Sequence, residues 1–294
     1  MSATNLDNSP TIQTTTSPTG ITTIAINRPH VRNAIDGPTA LRLTAAFLSF
    51  ESDNSQKVCV FHGANGTFCS GFDLHEVSKF NTQAQTQAQD NNDDKDDIEG
   101  YNGPRMSIHN RVKDNDRTTG PIGPSRMQIK KPVICAIEGY AAAGGLELAL
   151  LGDIRVVEED AVFGVFNRRW GVPLIDGGTV RLQAIVGLGR ALDMVLTGRP
   201  VGAQEALVMG LANPIVPRGR AVEEAMEIAR LLVKFPQGCL NADRASCYYA
   251  AYEAASFEDA LRFEFDKGTE VMEEGVRGAK RFSDGAGRHG RFET

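Results

Sequence analysis

The sequence predicts an α/β protein whose C-terminal part is mainly helical. Apolar runs at residues 58–62 and 132–137 each precede a turn and an apparent helix start, and Ile21–Ile26 has the pattern of a further strand. Strands separated by helices in this order are typical of layered α/β folds. We therefore expect an α/β core over residues 20–198. Residues 199–294 form the predicted helical region, because their apolar side chains recur at helical spacing.

The N-terminal part begins with a predicted tail. Residues 1–19 are rich in Ser, Thr and Asn and contain two prolines, which favours a flexible segment with little to bury. Ile21–Ile26 is the first predicted strand, and residues 58–62 are the second. Asp36 is placed to cap the helix between them, because its carboxylate can accept hydrogen bonds from N–H groups of the first turn.

A low-complexity insert interrupts the α/β core. Residues 81–97 (NTQAQTQAQDNNDDKDD) contain almost no apolar side chains, so we predict a disordered loop. Residues 90–97 hold five Asp and one Lys, a net of −4, which leaves −2 of the formal charge of −6 for the rest of the chain. This acidic balance argues weakly against nucleic acid as a partner.

The centre of the chain joins a strand to a helix through a loop of small residues. Residues 130–153 have the sequence KKPVICAIEGYAAAGGLELALLGD. A glycine-rich loop that opens a helix leaves main-chain N–H groups that stabilise negative charge. Glu147 lies one turn into the predicted helix, where a carboxylate can act as a base beside such donors.

Helices dominate the rest of the chain. After two short predicted strands at residues 154–157 and 161–165, the predicted helices are 178–186, 190–197, 203–210, 221–235 and a long run from 240 to about 281. Their apolar positions exceed what one helical layer covers. Such surplus apolar surface is typical of an interface, so we predict association with further copies of the chain.

Composition excludes several kinds of site and location. The five cysteines lack Cys-x-x-Cys spacing and the five histidines lack paired ligand spacing, so we predict a reducing compartment and no metal site. No apolar run approaches the roughly 20 residues of a membrane span. The N-terminus has no secretory signal pattern and the C-terminus has no peroxisomal Ser-Lys-Leu. We expect a cytoplasmic protein, with a mitochondrial location left open.

Three motifs carry a resemblance to a known family. Phe68-Cys69-Ser70-Gly71-Phe72-Asp73-Leu74 is similar to F-C-A-G-x-D-L, and residues 130–153 resemble KPVIAAVNGxAxGGGxELAL. The third match comprises Phe163-Gly164, Trp170-Gly171-Val172-Pro173 and Asp176-Gly177-Gly178-Thr179. In these motifs the chain resembles the crotonase superfamily, the enoyl-CoA hydratases and isomerases. The resemblance implies a spiral of ββα units, a helical C-terminal region for oligomerisation, and a homotrimer or hexamer.

The resemblance also implies an oxyanion hole that stabilises a thioester enolate. By motif position its two donors are the main-chain N–H groups of Phe72 and Gly144. Two preorganised donors aimed at one carbonyl oxygen are what this chemistry needs, and a residue without a side chain lets the backbone approach substrate. The alternative is that both motifs are only structural turns.

Three residues are candidates for proton transfer. Glu147 matches the family's first catalytic glutamate, although a surface glutamate favoured by the helix dipole would look the same. The family's second glutamate, in a pattern close to F-G-x-P-E, is replaced by Asn167, which can orient water but not exchange a proton. Asp176 matches an aspartate of some dienoyl-CoA isomerases, and it can equally be the cap of the next helix. Arg168 and Arg169 either adjust its charge or lie on the surface.

For coenzyme A the resemblance points to the turn at residues 28–35 and to residues 72–75. The residues that it assigns there are Arg28, Val31, Arg32, Asp73, Leu74 and His75. Arginines suit phosphate groups, whereas His75 stands where the family often has lysine, which weakens that contact.

Two functions stay open at this stage. The first is an acyl-CoA enzyme of the hydratase/isomerase type with no cofactor beyond the coenzyme A of its substrate, and Glu147 and Asp176 favour it. The second is a catalytically weak acyl-CoA binder or assembly subunit, which Asn167 favours. Because isomerisation needs only proton removal and return, we expect isomerase activity at least comparable with hydratase activity.

Overall fold

The computed structural model describes residues 10–75 and 119–287, and the elements named here lie in those ranges. The strands are β1 (Ile12–Thr16), β2 (Ile21–Ile26), β3 (Val58–Gly63), β4 (Val133–Ile137), β5 (Tyr140–Ala142), β6 (Ile154–Glu158), β7 (Val162–Gly164), β8 (Val201–Gly202) and β9 (Ile215–Val216). The helices are α1 (Gly37–Ser52), α2 (Gly144–Ala149), α3 (Gly178–Val186), α4 (Leu188–Thr197), α5 (Ala203–Met209), α6 (Ala221–Leu232), α7 (Gln237–Tyr252), α8 (Phe257–Glu270) and α9 (Met272–Ser283). The predicted insert at residues 81–97 lies outside the described residues.

The nine strands of the described residues are divided between two sheets. Six strands form one sheet in the order β1-β2-β3-β4-β6-β9, and β5, β7 and β8 form a smaller one. From β4 to β7 the chain alternates between the two sheets, and helices separate β5 from β6, β7 from β8 and β8 from β9. This alternation confirms the predicted α/β class and agrees with the spiral of ββα units that the resemblance implies.

The predicted N-terminal tail is wrong for residues 12–16. β1 pairs antiparallel with β2 over five residues, from Ile12 opposite Ile26 to Thr16 opposite Thr22. Only Ile12 of this strand is buried. Main-chain hydrogen bonds to the edge of β2 therefore hold β1 in place. A Thr-rich segment can make these bonds as well as an apolar one. Residues 1–9 lie outside the described range.

Both faces of the large sheet are covered. On one face Phe61 of β3 packs edge-on against Phe47 of α1 and Phe68, with ring centroids 5.3 and 5.2 Å apart. On the other face α6 packs small buried alanines against β3 and β4. Burial on both sides explains why these two strands are continuous apolar runs in the sequence.

The region predicted as helical also contributes to the sheets. β8 pairs with β7, and β9 pairs with β6 at the edge of the large sheet. Both strands are two residues long, too short for any sequence pattern. The predicted run from 240 to 281 is divided among α7, α8 and α9. No helix in the described part of the chain is long and apolar enough to cross a membrane.

Candidate active site

The site lies where β5 and β7 end. These strands run parallel, with Ala142 opposite Gly164, so the segments that leave them emerge at one edge of the small sheet. The chain passes from β5 into α2, and from β7 into a 3-10 helix at Phe166–Trp170 that contains Asn167. The motif residues at 144–147 and 167 are therefore neighbours by topology.

The two predicted oxyanion-hole residues are brought together. The segment around Cys69 pairs with β5, because Cys69 N donates to Tyr140 O at 2.9 Å and Ala142 N donates to Cys69 O at 3.0 Å. A Cβ atom at Gly144 would lie 3.4 Å from Phe72 N and 3.0 Å from a methyl group of Ile122. The backbones at Phe72 and Gly144 therefore approach each other closely, with little room for a side chain at Gly144.

The residue before Gly144 has a strained backbone. Ala143 has φ 52° and ψ −122°, a left-handed conformation that glycine adopts more readily. It stands where the family pattern has the first of three glycines. A hydrogen bond of 2.8 Å from Ala143 N to Gly164 O holds it in place. Strain of about 1–3 kcal/mol of this kind is often found at functional sites.

Glu147 is buried inside the site. Its Oε1 accepts hydrogen bonds from the main-chain N–H groups of Asp176 at 2.9 Å and Gly178 at 2.8 Å. Burial and then the charge of Asp176 raise the pKa of Glu147 to about 7, against the opposing effects of these two hydrogen bonds and of Arg181. The surface alternative is therefore wrong, and both protonation states of Glu147 are accessible near neutral pH.

Asp176 is not the cap of α3. The cap position is taken by Gly177, and no side chain caps the helix. The Oδ1 atom of Asp176 instead accepts hydrogen bonds from Ser125 Oγ and, at 3.2 Å, from Ile122 N. Burial raises its pKa, while these hydrogen bonds and the charge of Arg126 lower it. A buried acid anchored in this way suits proton transfer better than helix capping.

Ser125 and Gly120 form a support for Asp176 that the sequence analysis missed. A Cβ atom at Gly120 would lie 2.0 Å from Asp176 Oδ1 and 2.2 Å from Ser125 Oγ, so only glycine fits there. Gly120 and Gly123 exchange main-chain hydrogen bonds of 2.8 and 2.9 Å. The Gly-Pro-Ile-Gly-Pro sequence was a signal for this turn, but it gave no indication of what the turn faces.

Asn167 is buried with its amide fixed. Its Nδ2 donates to Val172 O at 2.7 Å, and its Oδ1 has no hydrogen-bond partner within the described residues. A buried acceptor without a donor is costly, which suits a site that takes a ligand or water. Arg168 donates to Val195 O, and Arg169 lies over the ring of Phe166. The surface alternative fits these two arginines, and Arg126 is the cation that lowers the pKa of Asp176.

The structure changes the expected role of Arg28. Its guanidinium is buried and lies 2.8 Å from Asp36 and 3.5 Å from Asp73, so it holds the turn together rather than facing solvent. Asp36 caps α1 as predicted, accepting from Thr39 N at 2.9 Å.

The other residues assigned to coenzyme A differ in exposure. Arg32, Leu74 and His75 are exposed, whereas Val31 and Asp73 are partly buried. Their contact with coenzyme A stays a prediction.

The sequence analysis also missed Asn33. Its side chain accepts from Arg28 N at 2.8 Å and donates to Ala64 O at 2.9 Å and Thr67 O at 2.6 Å. This residue joins the turn at residues 28–35 to the segment that precedes the first motif. Across residues 10–75 and 119–287, no group of three His, Cys, Asp or Glu side chains is placed to hold a metal ion.

Comparisons with known proteins agree on one family. The family model described as enoyl-CoA hydratase/isomerase matches residues 16–101 and 125–269. The chain is 33% identical over 213 residues to enoyl-CoA hydratase EchA19 of Mycobacterium tuberculosis, covering 70% of this chain and 68% of that protein. It is 29% identical over 271 residues to a probable peroxisomal enoyl-CoA hydratase of Arabidopsis thaliana, covering 85% and 91%.

A solved structure shares the fold. Enoyl-CoA hydratase EchA1 from Mycobacterium marinum superposes with a TM-score of 0.77 over 94% of this chain and 96% of that one, at 24% identity. The matched family model spans both halves of the site, including Phe72, Gly144, Glu147, Asn167 and Asp176. The chain therefore belongs to the enoyl-CoA hydratase/isomerase family.

Proposed function

We propose that the protein is an enzyme that moves protons on the acyl group of a coenzyme A thioester, with double-bond isomerisation as its main reaction. The observation that carries this proposal is the pair of buried acids, Glu147 and Asp176, in which the main-chain N–H of Asp176 donates a hydrogen bond to Oε1 of Glu147. Burial raises the pKa of both acids, that of Glu147 to about 7. Perturbed acids at one site are typical of acid–base catalysis.

The proposed chemistry uses one stabilised anion. A carboxylate removes a proton from C2 of a 3-enoyl thioester, and the thioester oxygen takes the negative charge. The N–H groups of Phe72 and Gly144 stabilise that oxygen, a contribution that is typically worth about 3 kcal/mol per donor. A carboxylic acid then returns a proton to C4, and the double bond moves to C2–C3. No other reactant is consumed.

Asn167 is the reason to place isomerisation before hydration. Adding water across C2–C3 needs one group to activate the water and another to protonate C2. Asn167 occupies the position of the family's second glutamate. An amide side chain can neither take a proton from water nor donate one to C2. The relatives named above are hydratases, so hydration through Glu147 and Asp176 is the reaction to measure beside isomerisation.

A thioester panel tests the proposal. Incubation with 3-hexenoyl-CoA should increase the absorbance of the conjugated thioester, and incubation with crotonyl-CoA should decrease it more slowly. Faster loss with crotonyl-CoA would overturn the order of the two reactions. Binding of both thioesters without turnover would instead support the second candidate, an acyl-CoA binder or assembly subunit, which Asn167 favours.

We also propose that the protein assembles as a homotrimer or hexamer. Large apolar side chains of α8 and α9 are exposed in the single chain, among them Phe257, Phe265, Val276 and Phe282. Exposed apolar surface of this extent is typical of an interface. Sedimentation at micromolar concentration should give a species of at least three chains, and a monomer of 31.8 kDa would contradict the proposal. The cytoplasmic location stays a prediction.

A further inference from the structure

Asn33 joins two segments that are remote in sequence through one fully buried side chain. Its Oδ1 accepts a hydrogen bond from Arg28 N at 2.8 Å. Its Nδ2 donates to Ala64 O at 2.9 Å and to Thr67 O at 2.6 Å. The side chain therefore ties the turn at residues 28–35 to the chain that leaves β3 and leads into the first motif.

Both the backbone and the side chain at this position suit asparagine. Asn33 has φ 56°, a left-handed conformation that asparagine and glycine adopt more readily than most residues. Its contacts use one acceptor oxygen and two N–H donors from a single planar group. A carboxylate lacks these donors, and glycine would keep the backbone conformation but lose all three hydrogen bonds.

The turn that Asn33 fixes pairs with the first motif. Ile35 and Phe72 lie opposite each other in a short parallel pairing. Ile35 N donates to Gly71 O at 2.8 Å, and Asp73 N donates to Ile35 O at 2.8 Å. These two hydrogen bonds lie on either side of Phe72 in the sequence, so the turn determines where the backbone of Phe72 lies.

The opposite side of the motif faces β5 and Gly144. Cys69 pairs with β5 through its main chain, while its thiol donates to Asn33 O at 3.1 Å. A Cβ atom at Gly144 would lie 3.4 Å from Phe72 N, and one at Gly71 would lie 2.9 Å from Gly144 N. Because the pairing with the turn uses the residues on either side of Phe72, the Phe72 N–H points away from the turn and towards Gly144.

We propose that Asn33 is a positioning residue for the oxyanion hole, and that its side chain sets the direction of the Phe72 N–H relative to that of Gly144. This inference rests on the oxyanion hole of the proposed function. Because Asn33 is buried, it acts through the backbone of the turn and not by contact with the thioester. A displacement of about 1 Å in such a site can cost about 100-fold in rate, so the loss of these hydrogen bonds should weaken stabilisation of the enolate.

Acetoacetyl-CoA provides a direct test, because loss of its C2 proton gives an enolate that absorbs in the near ultraviolet. An oxyanion hole stabilises this enolate, so the full-length protein should raise the enolate fraction of the bound ligand above that of the free ligand at the same pH. At saturating ligand, Asn33→Gly should reduce the equilibrium constant between bound enolate and bound keto form by roughly tenfold, less than the 100-fold or more that removal of a donor typically costs. The kcat for 3-hexenoyl-CoA should fall by a similar factor.

Asn33→Asp is the second variant. It keeps an acceptor for Arg28 N but loses both donors, so it should reduce the bound enolate and kcat in the same way.

Gln56→Ala is the matched control. Gln56 is also a buried amide that joins remote segments, because its Oε1 accepts from Thr22 Oγ1 at 3.0 Å and its Nε2 donates to Ser17 O at 3.3 Å. It lies just before β3, at the opposite end of that strand from Ala64. This variant should lower the melting temperature but leave the bound enolate and kcat unchanged.

Three outcomes would overturn the inference. The first is an enolate fraction that stays at the parent's level in the folded Asn33 variants. The second is an equal reduction in Gln56→Ala, which would assign the effect to a general loss of stability. The third is failure of both Asn33 variants to fold, as judged by circular dichroism, which would make the residue a requirement of the fold alone. Absence of enolate stabilisation in the parent protein would instead contradict the proposed oxyanion hole on which the inference rests.

Discussion

The main-chain N–H of Asp176 donates a hydrogen bond of 2.9 Å to Oε1 of Glu147. The backbone of one acid thus orients the carboxylate of the other. Within the described residues, hydrogen bonds engage only Oε1 of Glu147 and only Oδ1 of Asp176. Each acid is therefore anchored through one oxygen, which leaves its second oxygen for the substrate.

Removing either acid should reduce turnover. We expect Glu147→Gln and Asp176→Asn each to lower kcat for 3-hexenoyl-CoA by roughly 100-fold or more, because a positioned general acid or base contributes about that factor. Asn167→Glu should raise hydration of crotonyl-CoA relative to the parent. Steady-state kinetics measure all three, and unchanged rates in Asp176→Asn would remove that residue from the mechanism.

The raised pKa of Glu147 predicts a pH-dependent stability difference. Its pKa rises from 4.5 to about 7 on folding, so the folded state retains a proton that the unfolded state releases above pH 4.5. This contribution to stability is complete below pH 4.5 and is lost as the pH rises through 7. Glu147→Gln keeps the acceptor oxygen but has no charge to bury, and it should therefore become more stable than the parent by about 1–3 kcal/mol above pH 7.

Urea unfolding at pH 5 and pH 8 measures this difference. The advantage of Glu147→Gln should be larger at pH 8. The exposed Glu159 provides the control, because Glu159→Gln should show no such dependence. An advantage of Glu147→Gln that is the same at both pH values would contradict the buried-acid description.

Ser125 positions Asp176 and lowers its pKa. Ser125→Ala removes the Oγ hydrogen bond to Asp176 Oδ1, so the pKa of Asp176 should rise further. The limb of the kcat/KM profile that Asp176 controls should move to higher pH. Ser246→Ala, which removes a hydroxyl bonded to Ala242 O at 3.1 Å on α7, should leave the profile in place. A uniform loss of rate at every pH would show that Ser125 is only structural.

Gly120 should tolerate no side chain. In Gly120→Ala the new methyl group would meet Asp176 and Ser125, so the carboxylate must move, and we expect loss of turnover together with a lower melting temperature. Gly189→Ala is the control, because a Cβ atom there meets nothing within 4 Å and alanine favours the helix by about 1 kcal/mol. Normal turnover in Gly120→Ala would mean that the position of Asp176 is unimportant.

A side chain at position 144 should block the proposed binding site of the thioester. A Cβ atom there would lie 3.0 Å from Ile122 and 3.4 Å from Phe72 N, in the space proposed for the substrate's carbonyl oxygen. We expect Gly144→Val to abolish turnover and to weaken binding of acyl-CoA in calorimetry. Unchanged kinetics would exclude the proposed oxyanion hole.

Features that depend on a local pattern of residues could be predicted from the amino-acid sequence. The apolar runs predicted β2, β3 and β4, and α3 has the predicted bounds of 178–186. Asp36 caps α1 as its position suggested. The motifs also identified Glu147. The spacing of apolar residues, the residue types of turns and the capping of helices each involve only a few neighbouring residues. They can therefore be inferred without knowing what packs against a segment.

Contacts between groups that are far apart in the sequence could not be predicted in this way. Ser125 lies 51 residues from Asp176, and no local pattern distinguishes an aspartate that caps a helix from one anchored by a distant serine. β1 is ordered because β2 supplies hydrogen bonds to it, although its sequence resembles a flexible tail. Arg28 is a residue type that suits a phosphate group, but its charge is neutralised by Asp36 and Asp73. In each case the interacting partner is remote in sequence. The free energy of the interaction depends on burial and on the distance between the groups, which are set only in the folded chain.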